Sequence, residues 1–249
     1  MIRTSRTALV ALVAASALTA ASCSNTEPAL DSNAPTAGSG AAGESATSAA
    51  GSDAEQGAVT VTDNYGEKTV PSPPQRVVAL DNRSFELLDS WGVKPVAAAR
   101  ALVPDTIPGI ADDEEIVDIG NHREPNLEAL VAVEPDVIIS GQRFTSFDEE
   151  MQKLVPDAVL LNFEPREGEE FDEELIRQTL ELGEVFGKQA EAEQAVEDFT
   201  KAIERARSAY NPDQTVMATV VSGGEIGYVA PGLGRTWGPL FDLIGLTPA

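Results

Sequence analysis

The stretch Asn121–Phe144, NHREPNLEALVAVEPDVIISGQRF, limits what this chain can fold into more than any other segment. Pro125-Asn126 opens a predicted helix in which Leu127, Leu130 and Val131 fall at i, i+3 and i+4, an apolar face that ends at Glu134. Pro135-Asp136 stops that helix, because proline offers no N–H and clashes with the preceding turn. The β-branched run Val137-Ile138-Ile139-Ser140, closed by Gly141, reads as a buried strand. Gln142-Arg143-Phe144 therefore follow a strand's carboxyl end, where open α/β sheets hold their ligands. A helix, a tight turn, a strand and a polar tip within so short a stretch describe a binding lobe.

Charge and cysteine content narrow the function classes. A formal charge of −24 argues against non-specific nucleic-acid binding, which needs clustered Lys and Arg. With one Cys (Cys23) and one His (His122) the chain forms no internal disulfide, and a zinc cluster is excluded in practice. Ser84, Ser140 and Ser222 lack the context of a hydrolase nucleophile, so no enzyme is expected.

The N-terminus reads as an export signal: Arg3 and Arg6 precede the apolar run Ala8–Ala21, too short for a permanent span. Its tail, Leu18-Thr19-Ala20-Ala21-Ser22-Cys23, resembles a bacterial lipobox, with Ala20 where leucine is usual. That resemblance implies that Cys23 is lipidated, becomes the first mature residue, and anchors the protein on the extracytoplasmic face of the cell membrane. An ordinary secretory signal with an incidental cysteine is the alternative. Ser, Ala, Gly and Thr dominate the segment that follows and predict a flexible tether.

Beyond the tether, strands and helices alternate. A hairpin over Gly57–Val70 comes first. Strands follow at Arg76–Leu80, Val96–Ala99 and Ala158–Leu161, with helices at Phe85–Trp91, N-capped by Ser84, and Asp148–Leu154. Helical periodicity then dominates Phe171–Tyr210, broken near Gly183 and Gly187. Thr215–Ser222 is a further strand, Gly223–Gly238 a Gly-rich loop and Pro239–Ile244 a last helix. This pattern predicts an α/β fold class: one α/β lobe, a long helical stretch and the start of a second, incomplete α/β lobe. The boundaries are a signal over 1–22, a lipid-anchored tether over 23–57, an N-terminal lobe over 58–170, linker helices over 171–210 and the start of a second lobe over 211–249. Residues 214–249 are too few to close a core, so the chain is expected to be truncated.

Taken together, Arg76-Val77-Val78-Ala79-Leu80, Glu86-Leu87-Leu88, Trp91-Gly92-Val93-Lys94-Pro95-Val96, Ile119-Gly120, Pro125–Leu130 and Pro135–Ile139 resemble the substrate-binding lipoproteins of bacterial ABC importers for ferric siderophores, haem and cobalamin. The resemblance covers about residues 76–246. It implies two α/β lobes joined by a long rigid linker helix, a ligand held in the cleft between them, and docking onto an ABC transporter permease through acidic residues. Glu86 occupies the N-lobe docking position; the second docking position falls at Pro239, with Asp242 nearly one turn on.

Arg143 and Arg235 match basic cleft positions of the catecholate binders, and Arg100 and Arg123 follow shorter strands. Arg143 is alternatively a surface residue paired with Asp148 or Glu149. Trp237 and Tyr228 either stack on a planar ligand or pack, and His122 either touches ligand or faces solvent. Arginine repels a bare cation, whereas its fork of donors suits an anionic, oxygen-rich chelate. The expected ligand is therefore a ferric siderophore, with no cofactor and no resident metal. Haem or cobalamin binding on the same fold, and a cell-surface enzyme or adhesion domain, stay open at this point.

Overall fold

The computed structural model describes residues 57–233 and 237–249. The signal, Cys23, nearly all of the tether and Arg235 lie outside the described residues.

Strands β1 (Gly57–Asp63) and β2 (Gly66–Ser72) form the expected antiparallel hairpin, which buries Val61 and Val70. Next come β3 (Val77–Ala79), α1 (Phe85–Ser90), β4 (Ala97–Ala98), a 3-10 turn at Arg100–Leu102 and α2 (Pro108–Ala111). β5 (Val117–Asp118) is followed by the small ribbon of β6 (Gly120–Asn121) and β7 (Glu124–Pro125). The opening stretch of the sequence supplies α3 (Leu127–Ala132), β8 (Val137–Ser140) and a 3-10 segment at Gln142–Phe147, before α4 (Asp148–Leu154) and β9 (Val159–Asn162).

Five strands make one parallel sheet in the order β5-β4-β3-β8-β9. Because side chains alternate across a strand, odd and even positions feed different cores. Val77, Ala79, Val137 and Ile139 join Phe85, Leu88 and Trp91 on one face. Val78, Leu80, Ile138 and Leu160 join Leu130, Phe144 and Met151 on the other. With apolar layers on both sides, the strands read as continuous hydrophobic runs.

Two local expectations change. Ser84 makes no side-chain cap for α1; its hydroxyl donates back to the Asp81 carbonyl at 2.7 Å, closing the turn after β3. Along α3 and its C-cap Val133 the buried row is Leu130 and Val133, with Leu127 and Ala129 packed against it, and Val131 is exposed. The helix stops at Ala132 because Glu134, directly before Pro135, takes a left-handed φ of 42°. Asn126 does cap it, accepting the Ala129 amide at 3.0 Å.

The helical region is a pair, α5 (Phe171–Phe186) and α6 (Gln189–Ala209). Leu182, Val185 and Phe186 of α5 are buried in the same core as α1 and the hairpin. Gly187 ends it in the left-handed conformation (φ 63°), and the Lys188 amide closes back on the Gly183 carbonyl at 2.7 Å. α6 then folds back along α5, so closely that a methyl group at Gly183 would stand 2.6 Å from the Ala192 β-carbon.

The C-terminal segment holds β10 (Thr215–Val216), β11 (Ala218–Ser222), β12 (Glu225–Val229), α7 (Trp237–Ile244) and β13 (Thr247–Pro248). β10 and β13 pair in parallel around α7. The expected Gly-rich loop is in fact half hairpin: β11 and β12 pair antiparallel about Gly223-Gly224, both at positive φ. Val221 and Ile226 on that hairpin are 68% and 75% exposed, which leaves its apolar surface uncovered among the described residues.

Candidate ligand site

The chain runs from β3 outward to β4 and β5, then returns to place β8 and β9 on the other side of β3. Loops leaving β3 and β8 diverge at that reversal, and such a switch point opens a crevice at the carboxyl ends of the strands. The crevice is present as a cavity of about 340 Å³ lined by Leu80 and Asn82 after β3, Leu102, His122, Arg143 and Phe144.

Arg143 is the polar feature of this cavity. Its guanidinium donates to His122 Nε2 at 2.9 Å, and it has no carboxylate partner among the described residues. Asp148 is occupied by the Ser140 hydroxyl, by Tyr65 Oη at 2.7 Å and by Asn162 Nδ2 at 2.8 Å. Glu149 pairs with Lys153. The expected alternative partners of Arg143 are therefore taken. Phe144 packs edge-on to His122 with ring centroids 6.5 Å apart, so the pair is backed by the core. Burial pushes the His122 imidazole below its usual range, and the charges of Arg143 and then Arg123 push it further.

The backbone that carries this tip is held by Asp81, fully buried at the end of β3. Its carboxylate accepts Gln178 Nε2 at 2.6 Å, the Arg83 amide at 3.0 Å and Gln142 Nε2 at 3.2 Å. The Gly141 backbone lies against it, leaving no room for a β-carbon, which would stand 2.8 Å from Oδ2.

The other arginines expected at the site are placed differently. Arg100 turns away and donates to the Ala111 carbonyl at the end of α2 at 3.0 Å; its Nε is buried without a partner. Arg123 is exposed and does not line the cavity. Tyr228 on β12 and Trp237 at the start of α7 are 55% and 52% exposed and line neither cavity described here. His122, whose loop position favours a solvent-facing reading over a ligand contact, lies in the cavity wall. Sequence signals for it were weak, since its place depends on a long-range contact of its ring with Phe144.

A larger cavity of about 640 Å³ is lined by Arg83, Glu164, Arg166, Arg207, Gly232 and Asp242 among others. Its arginines are already engaged. Arg83 pairs with Glu164 at 3.0 Å, Arg166 with Glu174 at 2.6 Å, and Arg207 Nε donates to the Leu243 carbonyl at 2.7 Å. Glu164, in the wall of the larger cavity, also accepts the backbone amide of Gln142, which lines the smaller one. Of the two, the smaller cavity presents the charge that a ligand would have to match.

A family model for periplasmic binding proteins matches residues 77–249. The chain belongs to the periplasmic binding protein family. Within that family it is 27% identical over 193 residues to the ferric-anguibactin-binding protein FatB of Vibrio anguillarum, covering 77% of this chain and 59% of that protein. It is 25% identical over 215 residues to the petrobactin-binding protein YclQ of Bacillus subtilis, covering 84% of this chain and 65% of YclQ. The crystal structure of YclQ superposes with a TM-score of 0.69 at 20% identity, over 78% of this chain and 67% of the other. The siderophore-binding protein BauB, bound to ferric iron and two molecules of acinetobactin, superposes with a TM-score of 0.68 at 22% identity, over 77% and 67%. The chain thus spans about three fifths of the length of the curated relatives it matches. The structural likeness confirms the α/β architecture expected from the alternating strands and helices.

Among the described residues no helix is long and apolar enough to cross a membrane, and no group of three or more His, Cys, Asp or Glu is arranged to hold a metal ion.

Proposed function

We propose that this protein is an extracytoplasmic binding lipoprotein that captures a ferric siderophore and passes it to an ABC transporter permease. One observation carries the reading: Arg143, at the carboxyl end of β8, faces a cavity with its charge unmatched by any carboxylate among the described residues. An anionic chelate supplies the missing partner, and charge-assisted bonds to a guanidinium are the stronger kind. The names of FatB, YclQ and BauB, each tied to a siderophore, support the same ligand class. Trp237, the first residue of α7, and Arg235, two positions before it in the chain, are proposed to reach the chelate from the opposite side.

The test is fluorescence quenching, with exposed Trp237 as reporter and Trp91, packed against Phe186, as internal reference. Ferric petrobactin and ferric anguibactin are expected to quench. Arg143→Ala is expected to weaken binding by about 10- to 150-fold, the equivalent of roughly 1.5–3 kcal/mol for a lost hydrogen bond to charge. Equal affinity for free ferric iron, or an indifferent Arg143→Ala, would overturn the reading; saturation by haem or cobalamin alone would move the ligand class.

Two partner interactions belong to the same proposal. Glu86 is exposed in the first turn of α1, as a docking residue must be, so Glu86→Arg should abolish uptake in cells while leaving siderophore affinity unchanged. Cys23 is proposed as the lipid attachment point. The protein should fractionate with membranes and Cys23→Ala should release it; unmodified wild-type protein in the medium would refute the anchor.

A further inference from the structure

The hydrogen bond between Arg143 and His122 fixes more than a side-chain position. A guanidinium has donors only, so His122 Nε2 must be the acceptor and must carry no proton; a neutral ring then has its proton on Nδ1. The contact exists only while His122 is neutral. An anion that enters the cavity competes for the same Arg143 donors and at the same time neutralises the charge that disfavours an imidazolium. The geometry points to a proton-linked anion clasp: neutral His122 holds Arg143 ready in the empty cavity, and an oxyanion taken by Arg143 is accompanied by protonation of His122, which becomes a second donor to it.

Charged groups on the neighbouring elements leave this coupling intact. Arg123, next in the chain, adds to the pressure against protonation. On the 3-10 turn packed against β6, Arg100 keeps its guanidinium on the Ala111 carbonyl. Asp118, before β6, spends Oδ1 on the amides of Gly120 at 2.8 Å and Arg100 at 3.2 Å. Glu124, across the ribbon on β7, is exposed to solvent. Phe144 packs edge-on against the ring and contributes only carbon there. Arg143 is thus the cation whose neutralisation His122 reports most directly, and His122 acts as a positioning residue in the free protein and a ligand contact in the bound one.

The inference rests on the proposed anion site, deepens it by naming a proton as co-ligand, and is tested so that the two fail separately. His122 is the chain's one histidine, so its ring protons are resolved in a one-dimensional proton NMR titration without labelling. Sulfate is the probe, because its charge is constant across neutral pH, with chloride at equal ionic strength as control. His122 is expected to titrate below an unstructured imidazole in chloride, and to move upward by roughly one pH unit in saturating sulfate. Arg143→Ala should raise the chloride value and abolish the response to sulfate, whereas a purely structural role for His122 would leave that response unchanged. A His122 that titrates at its ordinary value in chloride, or that ignores sulfate, overturns the clasp. If sulfate moves His122 but ferric siderophores do not quench Trp237, the clasp stands and the ligand class is wrong. If siderophores quench and His122 does not respond to sulfate, the proton linkage alone falls.

Discussion

Replacing Glu174 by alanine is expected to lower the free energy of unfolding by about 3 kcal/mol, the low end of what breaking a buried ion pair costs. Glu174 is 2% exposed and accepts from Arg166 through NH2 at 2.6 Å and from Arg177 through NH2 at 2.8 Å; Arg166 also gives it a backbone amide at 3.0 Å. The low end applies because Arg166 is half exposed and regains water when the carboxylate goes. Burial by itself would raise the carboxyl, but the bonds from Arg166 and Arg177 outweigh it and bring the group from 4.5 down to about 2. A folded-state value below the unfolded one means that the contribution is fully present above pH 4.5 and is lost as pH falls toward 2. Urea midpoints for wild type and Glu174→Ala should therefore keep a constant gap down to about pH 4.5 and draw closer from there to pH 3. A gap that stays constant through that range would show that the ion pair is not the source of the difference.

Asp81→Ala is expected to cost a similar amount, about 3 kcal/mol, through a different mechanism. The carboxylate satisfies Gln178, itself 2% exposed, together with Gln142 and the Arg83 amide. Each buried donor left without a partner costs about 1–3 kcal/mol, and the sum is less than additive where a side chain can turn. Asp81→Asn should recover only part of the loss, since it turns one of the two acceptor oxygens into a donor aimed at donors. Affinity for ferric siderophores should fall as well, because Gln142 is released next to Arg143. Chemical unfolding read by circular dichroism measures the first effect. An Asp81→Ala protein as stable as wild type would mean that water replaces the carboxylate.

Much of the first lobe was legible because its signals are local. The run Val137–Ser140 is β-branched and unbroken, Asn126 stands where a cap must stand, and Gly187 breaks the helical region at the residue that adopts positive φ. Val131 was misplaced because the i, i+4 row points equally well to either side of a short helix. The β11–β12 hairpin was hidden by its own turn: Gly223-Gly224 belongs to a Gly-rich tract, and composition over the whole tract reads as loop. The site was legible only in part. Arg100 and Arg143 look alike in sequence, each following a strand. What separates them is a carbonyl at the end of α2 that captures one, and a histidine brought from a separate ribbon that holds the other. Neither partner is within reach of a local rule.

The capped corner at Gly187 gives α6 the mechanics of a lever. With 21 residues it is about 31 Å long, and its base is pinned where Gly183 leaves room for Ala192. A tilt of about 5° at that base displaces the far end by about 3 Å, the scale of one hydrogen bond. The far end carries Arg207, which grips the Leu243 carbonyl in α7 and with it a wall of the larger cavity. The packing of Ala192 against Gly183 thus fixes the line along which α6 carries Arg207 to the wall of that cavity.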